Sequence, residues 1–444
     1  MTPPRHPMLQ EASRLARLAA PVIVGQLSQV GIGFTDTVMA GRLGATELAA
    51  IAVGSSLWIP IYLGCLGVLM ITSALTANLV GAGRLDRIGP LFRQALWLAA
   101  ALGLVAIPLT FRAPAMMEWL EVDPAVVPAT RDYLHAVAWG MPGACLFFAC
   151  RFVSEGMGVT RPLAWIQLTG LAVNALADYA LMFGRLGMPA MGVEGAGWAS
   201  AGVFWLNAVV FLAYLALSPR MRSARLFRHL EAPRPAELWR MLRLGLPVAA
   251  STLMEVGLFM AVALLMGRIG GVAVAAHQVA INYAALMFMV PLGVSMGISV
   301  RVGQAAGRGD RAGERVAGWT GMVMAVGFML LSAAVMLWVP ERIVAIYTDD
   351  PLVAETARGL LLMAALFQLS DGLQVSAVGA LRGLRDTAVP MVITFVAYWL
   401  VGLPLAWWLG LEAGFGPQGL WMGLVAGLSV AALLLVARFR RLTV

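Results

Sequence analysis

Apolar stretches of about 20 residues or more alternate with short polar stretches along the whole chain. A helix needs roughly 20 apolar residues to cross the hydrocarbon core of a bilayer. The pattern therefore predicts twelve membrane-spanning helices, at 16–40, 48–78, 89–111, 127–150, 162–184, 193–217, 245–267, 275–300, 316–339, 355–381, 388–410 and 417–437. Pro60 lies within the second span and Pro291 within the eighth, so we expect kinks at both.

The arginines lie mostly on one side of this topology. With both termini placed in the cytoplasm, the inner segments hold 24 of the 31 arginines, and the chain has no lysine. Positive charge concentrates in the short cytoplasmic loops of membrane proteins. We therefore expect a multi-pass protein of the inner (plasma) membrane with both termini in the cytoplasm.

Composition excludes several classes of protein. Of the 444 residues, 60% are hydrophobic and 12% are charged, which is typical of polytopic membrane proteins. The net charge of +8 comes from arginines in loops between spans, so it indicates topology rather than nucleic-acid binding.

The three cysteines, Cys65, Cys145 and Cys150, lie in apolar segments, where we expect core thiols and no disulfide or metal cluster. The N-terminus lacks the features of a signal peptide, so we expect it to be retained.

The two halves of the chain repeat each other. Glycine and proline positions match at a constant offset of 226 across about sixty residues: Pro21 with Pro247, Gly31 with Gly257, Gly44 with Gly270 and Gly81 with Gly307. Each copy holds six predicted spans, an even number, so both copies start on the same side of the membrane. The copies are therefore predicted to be parallel repeats.

These patterns predict an all-α integral membrane protein with twelve transmembrane helices. Two six-helix bundles are expected, related by pseudo-two-fold symmetry about the membrane normal. The predicted division is an N-terminal lobe at 1–217, a cytoplasmic linker at 218–241 and a C-terminal lobe at 242–444. The linker is rich in arginine and proline, and we expect it to be partly helical and to lie on anionic headgroups.

Polar residues within the first-half spans are candidates for a coupling site. Similar depths in the first, fifth and sixth predicted spans are occupied by Asp36, Asp178 and Ser200. Asn174 lies one turn from Asp178 on the same face of the fifth span. Two carboxylates, an amide and a hydroxyl suit a hard cation such as Na⁺, or a shared proton. The alternative is that each carboxylate only bridges helices and that Ser200 only packs them.

The second half also contains two intramembrane carboxylates. Glu255 lies in the middle of the seventh predicted span, and Asp371 lies in the tenth at a similar depth. A charge at the centre of a span costs roughly 2.5–3.5 kcal/mol on insertion scales, so such residues are functional candidates. The same helix-bridging alternative applies to both. Phe367, one turn before Asp371, offers a ring for a cation–π contact, and Gln278 and Asn282 share a face of helix 8.

Two further polar residues have simpler explanations. Glu155 follows Arg151 by one turn near the cytoplasmic end of helix 4, where we expect a solvated ion pair. His277 is expected to be a packing histidine with satisfied hydrogen bonds rather than a proton relay.

Four stretches carry a resemblance to a known family: AAPVIVGQLSQVGIGFTDTVMAGRLG at 19–44, GLPVAASTLMEVGLFMAVALLMGRIG at 245–270, AAHQVAIN at 275–282 and VNALADYALMFG at 173–184. The chain resembles the multidrug and toxic compound extrusion (MATE) family from about Leu15 to Ala437. The presence of the acidic pair Glu255 and Asp371 resembles the pattern of the NorM-like branch of this family. Two positions depart from the family pattern: Ser200, where Thr is frequent, and Phe367, where some members have Tyr.

The resemblance implies two lobes facing a central cavity, which export cationic, amphiphilic drugs and dyes in exchange for Na⁺ or H⁺ by alternating access. It implies a first-lobe cation site at Asp36, Asn174 and Asp178 and a second-lobe site at Glu255 and Asp371. We expect no cofactor besides the coupling ion, and a monomer in the lipid bilayer. The candidate substrate-binding residues are Gln29, Phe367, Gln278, Asn282 and Met287.

Two other functions have less support in the sequence. A flippase for lipid-linked oligosaccharides shares the superfamily architecture, but it would be expected to line its cavity with basic residues, which are few in the first two helices of either half. An integral-membrane enzyme is disfavoured, because the chain has no HExxH motif, no glycine-rich phosphate loop and no clustered His and Asp set.

Overall fold

The computed structural model describes residues 7–119, 121–228 and 231–444, and these ranges contain helices and no strand. The α-helices are α1 (Pro7–Leu43), α2 (Ala45–Gly81), α3 (Ile88–Arg112), α4 (Met116–Trp119), α5 (Val127–Ala138), α6 (Met141–Gly156), α7 (Arg161–Phe183), α8 (Val193–Leu217), α9 (Pro235–Ile269), α10 (Gly271–Arg308), α11 (Arg311–Trp338), α12 (Pro340–Ala345), α13 (Pro351–Gly383), α14 (Ala388–Phe395), α15 (Leu403–Trp407) and α16 (Gly416–Thr443). Two π-helical segments, Val396–Gly402 and Trp408–Glu412, join α14 and α15 into one helical stretch and lengthen it.

The predicted spans are confirmed as helices. Eleven helical stretches of the described residues are long and apolar enough to cross a membrane, and α5 with α6 makes a twelfth if the bent pair is one span. The sixth span begins and ends where the sequence places it, at 193 and 217. The seventh begins at Pro235, ten residues before its apolar part, because the polar turns ahead of Gly245 are also helical.

The fourth predicted span, 127–150, is a bent pair of helices in the structure. Here α5 ends at Ala138, α6 begins at Met141, and the two helices bend by 44°. Pro142, in the first turn of α6, has no N–H to continue the ladder of α5. Pro60 and Pro291, in contrast, lie inside α2 and α10, and both helices run through them.

Contacts divide the chain into two compact units. One comprises Val24–Ala249, and the other comprises Ala250–Val444 together with the chain up to Ile23. The boundaries therefore fall inside α1 and α9, rather than at the predicted linker of 218–241. In the second unit, Arg301 of α10 holds the first turns of α1, since its Nε and Nη2 donate to the Glu11 carboxylate at 2.6 and 2.7 Å.

The segment between α8 and α9 is fixed to α3 within the first unit. Arg93 Nη2 donates to Glu231 Oε1 at 2.8 Å, and Trp97 Nε1 donates to the Glu231 carbonyl at 2.8 Å. Gln94 Oε1 accepts from the backbone N–H of Arg234 at 2.7 Å. Part of this segment, Pro219–Ala224, is 3₁₀-helical. These contacts explain why the connector groups with the first unit.

The expectation of a solvated ion pair at Glu155 is wrong. Arg151 Nε lies 2.7 Å from Glu155 Oε1, and each side chain is only 2% exposed. Arg151 also donates to Gln26 Oε1 at 3.1 Å and lies over the Phe152 ring. Both residues lie on α6, which packs against α2, α3 and α8 and is buried along most of its length. The cysteines are buried thiols, as predicted.

Candidate functional site

Three helices of the first unit bring Asp36, Asn174, Asp178 and Ser200 together. Ser200 Oγ of α8 donates to Asp36 Oδ2 of α1 at 3.4 Å. The Asp36 carboxyl also lies near the side chains of Asp178 and Asn174, both on α7. The four side chains are buried, Asn174 and Asp178 completely. The predicted convergence in the first half is therefore present in the structure.

Most polar atoms of this acidic cluster have no hydrogen-bond partner among the described residues. They are Asp36 Oδ1, both carboxylate oxygens of Asp178, and both polar atoms of the Asn174 amide. Leaving a buried polar group unpaired costs roughly 1–3 kcal/mol, and more if it is charged. Two adjacent buried carboxylates are costly as anions unless a proton or a cation neutralises them. The oxygens present fit a hard cation or a shared proton.

Tyr133 is a neighbour of this cluster that the sequence analysis missed. It is buried on α5 and interacts electrostatically with both Asp36 and Asp178. Its hydroxyl accepts a hydrogen bond from Trp58 Nε1 of α2 at 3.1 Å. Tyrosine in an apolar helix is ordinarily a packing residue, so its sequence position carried no distinctive signal.

A second acidic pair lies in the other unit. Asp371 of α13 is buried and interacts electrostatically with Glu255 of α9, which is half-buried. Tyr398 interacts with both carboxyl groups and is fully buried. Asp371 Oδ1 and the Tyr398 hydroxyl have no hydrogen-bond partner in the described ranges. The structure thus places Glu255 and Asp371 within electrostatic range of each other, with a phenol beside them that the sequence did not indicate.

Tyr398 lies in the π-helical segment Val396–Gly402. A π-helical turn contains one residue more than an α-helical turn and so changes the direction of the side chains after it. Such turns occur frequently at functional sites. Next to Tyr398, Trp399 Nε1 donates to the Met254 carbonyl at 3.3 Å, which attaches this segment to α9 beside Glu255.

The glutamines around Asp371 are buried, and aromatic rings pack nearby. Both polar atoms of the Gln368 side chain and Oε1 of Gln374 are unpartnered among the described residues. Phe367 is 2% exposed, and its ring centroid lies 5.8 Å from that of Phe259 and 5.5 Å from that of Trp421. In this structure Phe367 is therefore a core residue with rings on two sides.

His277 packs against its neighbours as predicted, but the prediction that its hydrogen bonds are all satisfied is wrong. Its ring lies 5.7 Å from that of Trp421, edge to face, and the side chain is buried. Its Nδ1 has no hydrogen-bond partner in the described part of the chain.

The remaining candidate substrate residues lie in different surroundings. Gln29 is half-buried in the first unit, and its Oε1 accepts from Gln167 Nε2 at 3.3 Å. Gln167 Oε1 in turn accepts from Asn207 Nδ2 at 3.0 Å, a chain of amides that the sequence analysis missed. On α10, Gln278 and Asn282 are exposed and Met287 is half-buried.

Comparison with known families decides the class of this protein. The MatE family model matches residues 21–180 and again residues 247–408. The chain belongs to the MatE family. The two matches begin 226 residues apart, the offset at which glycine and proline positions repeat in the sequence. Membership of this family identifies a membrane transporter and not an enzyme.

Relatives cover nearly the whole chain. A protein of Xanthomonas campestris pv. campestris named probable multidrug resistance protein NorM is 45% identical over 425 residues, which are 96% of this chain and 93% of the relative. Multidrug resistance protein PmpM of Pseudomonas aeruginosa is 41% identical, over 97% of this chain and 91% of the relative. The expected NorM-like branch is confirmed by these relatives.

Solved structures show the same fold. The outward-facing structure of a multidrug resistance MATE family transporter of the MOP superfamily superposes with a TM-score of 0.89 at 19% identity, over 98% of this chain and 96% of that one. The bent form of the Vibrio cholerae MATE transporter VcmN gives a TM-score of 0.84 at 18% identity, over 98% of both chains. The predicted all-α membrane fold is confirmed.

Proposed function

We propose that this protein is a multidrug efflux antiporter, which exports cationic, amphiphilic drugs and dyes in exchange for Na⁺ or H⁺. The observation that carries the proposal is the near full-length similarity to relatives named for multidrug resistance. The buried acidic groups in each unit support the antiport part. A transporter that only let drugs diffuse would not need carboxylates in costly intramembrane positions.

The proposed coupling sites are the Asp36–Asn174–Asp178–Ser200 cluster and the Glu255–Asp371 pair. A cation or proton entering from outside neutralises these carboxylates and so removes the cost of burying them as anions. Inward movement of one positive charge down a potential of 100 mV releases about 2.3 kcal/mol. Unpartnered oxygens at Asp36 and Asp178 support ion binding there. Na⁺ and H⁺ are both compatible with this donor set.

Alternating access is the proposed mechanism. A ligand shifts a conformational equilibrium only by its difference in affinity between the two states. The acidic groups must therefore have different surroundings when the binding site opens to either side. The drug, bound from the cytoplasm, favours one state, and the coupling ion favours the other. Ion entry is thereby coupled to export of the drug.

The cellular setting is proposed from the charge pattern and the repeats. We place the protein in the inner (plasma) membrane with both termini in the cytoplasm, because 24 of the 31 arginines then lie on the cytoplasmic side. We also propose that it acts as a monomer. The functional lobes are 1–217 and 242–444, joined by the linker 218–241. The proposed substrate-binding residues are Gln29, Phe367, Gln278, Asn282 and Met287.

A resistance profile tests the proposed function. The protein is produced in bacteria whose own efflux pumps have been deleted, and growth is measured against ethidium, other cationic dyes and fluoroquinolones. We expect higher inhibitory concentrations and lower dye accumulation, both abolished by dissipating the ion gradients. Unchanged sensitivity to every compound, with the protein present in the membrane, would contradict the proposal.

A further inference from the structure

A groove opens at one end of α7 and α8, within the first unit. It has a volume of about 330 Å³. Its walls come from the first turns of α7, the last two turns of α8 and the 3₁₀ turn that follows α8. We call it the basic groove, and the residues that define it are Arg161, Trp165, Ile166, Val210, Tyr214 and Arg220.

Two arginines of the basic groove have no counter-charge in the described part of the chain. Arg161 and Arg220 are both exposed, and within the described residues neither forms a salt bridge or a side-chain hydrogen bond. Arg93, in contrast, lies under the neighbouring connector and is neutralised by Glu231 at 2.8 Å. Guanidinium groups bind phosphate in a bidentate manner. The pair therefore provides a recognition element for a phosphate-bearing anion.

The rest of the groove is apolar and open to its surroundings. Trp165 is 72% exposed and Val210 42% exposed. The apolar surface extends along both helices, to Leu168 on α7 and Leu217 on α8, which are 41% and 78% exposed. A free inorganic anion would gain nothing from these walls. An amphiphile, with a charged head and hydrocarbon chains, matches both parts of the groove.

The position along the spans fits a lipid. Arg161 is the first residue of a 23-residue span, and Arg220 follows the end of a 25-residue span by three residues. Both arginines therefore lie at the level of the headgroups. Trp165, one turn further along α7, takes the interfacial depth at which tryptophan is enriched in membrane proteins.

We propose that the basic groove binds an anionic phospholipid. The lipid phosphate lies between Arg161 and Arg220, and the glycerol and acyl chains run along Trp165 and Val210. Basic pockets between spans on the cytoplasmic side are suited to such headgroups. Zwitterionic lipids bind more weakly, because their ammonium group offsets the phosphate charge. This lipid site is separate from the proposed coupling carboxylates and does not depend on the transport proposal.

Lipid titration of the purified full chain tests the proposal. Phosphatidylglycerol, phosphatidylcholine or inorganic phosphate is added to the protein in detergent, and bound lipid is counted by native mass spectrometry. Thermal stability is followed in parallel. We expect phosphatidylglycerol to bind and to raise the unfolding temperature more than phosphatidylcholine, and phosphate to have no effect. Equal binding of both lipids, or full reproduction of the shift by phosphate, would overturn the proposal.

Matched variants locate the site. Removing both groove arginines in Arg161→Gln/Arg220→Gln should weaken phosphatidylglycerol binding by about fivefold per arginine, or about thirtyfold in all. Arg440→Gln/Arg441→Gln removes the same charge from exposed arginines at the end of α16 and should retain the lipid. If the groove double variant is not recovered folded, Trp165→Ala replaces it and should also lose lipid. Retention of lipid by the groove variant, or equal loss in both double variants, would refute a specific site.

Discussion

At the scale of single residues, the most specific prediction concerns the acidic side chain of Glu255. Glu255→Gln removes a proposed coupling charge while keeping the size and hydrogen-bonding capacity of the side chain. We expect the variant to insert and fold, because a neutral amide is cheaper than a charge within a span. Dye efflux from cells should fall to the level of cells without the transporter.

The control for this substitution is Glu355→Gln. Glu355 lies on α13, the helix that carries Asp371, but it is exposed near the helix start. The control should export dye like the parent protein. If Glu255→Gln exports dye as well as Glu355→Gln does, the assigned role of Glu255 is wrong.

The buried pair Arg151–Glu155 gives a stability prediction. Glu155→Gln leaves the Arg151 guanidinium buried without its carboxylate, and breaking such a pair costs about 3–5 kcal/mol. The purified variant should unfold at a clearly lower temperature. Replacing both residues with methionine should restore much of the loss, because the uncompensated charge disappears as well.

An exposed pair provides the comparison. Arg240 and Glu237 lie 3.5 Å apart, with side chains 52% and 44% exposed. Exposed pairs contribute about 0–1 kcal/mol, so Glu237→Gln should barely change the unfolding temperature. If Glu155→Gln and Glu237→Gln lower the unfolding temperature equally, the Arg151–Glu155 pair contributes no more to stability than an exposed pair.

At the scale of helices, α16 packs unusually close to the helical stretch 388–412. Gly419, Gly423 and Gly427 recur every four residues and form a smooth face. A methyl group at Gly423 would clash with the backbone of Ala406, and one at Gly427 would lie 2.9 Å from the Ala397 carbonyl oxygen. Small residues at this spacing let two spans approach with backbones in contact.

Gly423→Ala tests this close packing. The added methyl forces α16 away from Ala406, and overpacking of this kind costs about 1–3 kcal/mol or more. We expect a lower yield of folded protein and a lower unfolding temperature. Gly327→Ala in α11 is the control, because nothing lies within 4 Å of its added methyl. A stable Gly423→Ala variant would mean that the two helices can separate without cost.

The sequence predicted spans well because their signal is local. Twenty apolar residues determine a spanning helix regardless of its neighbours. Breaks within spans are different. The fourth span bends at Pro142, whereas α2 and α10 continue through Pro60 and Pro291. The sequence around each proline does not show which of them will interrupt a helix, because that depends on the surrounding packing. The π-helical segments of the stretch 388–412 had no signal that the apolar pattern could reveal.

At the scale of the whole molecule, the internal repeat predicted where acidic residues would meet. The pairs Asp36–Asp178 and Glu255–Asp371 each interact within one unit, as depth along the helices suggested. Their aromatic neighbours, Tyr133 and Tyr398, could not be predicted, because their positions depend on tertiary packing. The boundaries of the compact units inside α1 and α9 also depend on tertiary contacts, and Arg301–Glu11 is one such long-range contact within the second unit.

Transport by reconstituted protein tests the central claim, that the buried carboxylates couple ion entry to drug export. Efflux from proteoliposomes is measured under an imposed Na⁺ gradient and an imposed pH gradient, applied separately, for the parent, Asp36→Asn and Asp371→Asn. We predict that at least one gradient accelerates efflux by the parent and that neither gradient accelerates it in either variant. Gradient-driven efflux at the parental rate in either variant would contradict the account.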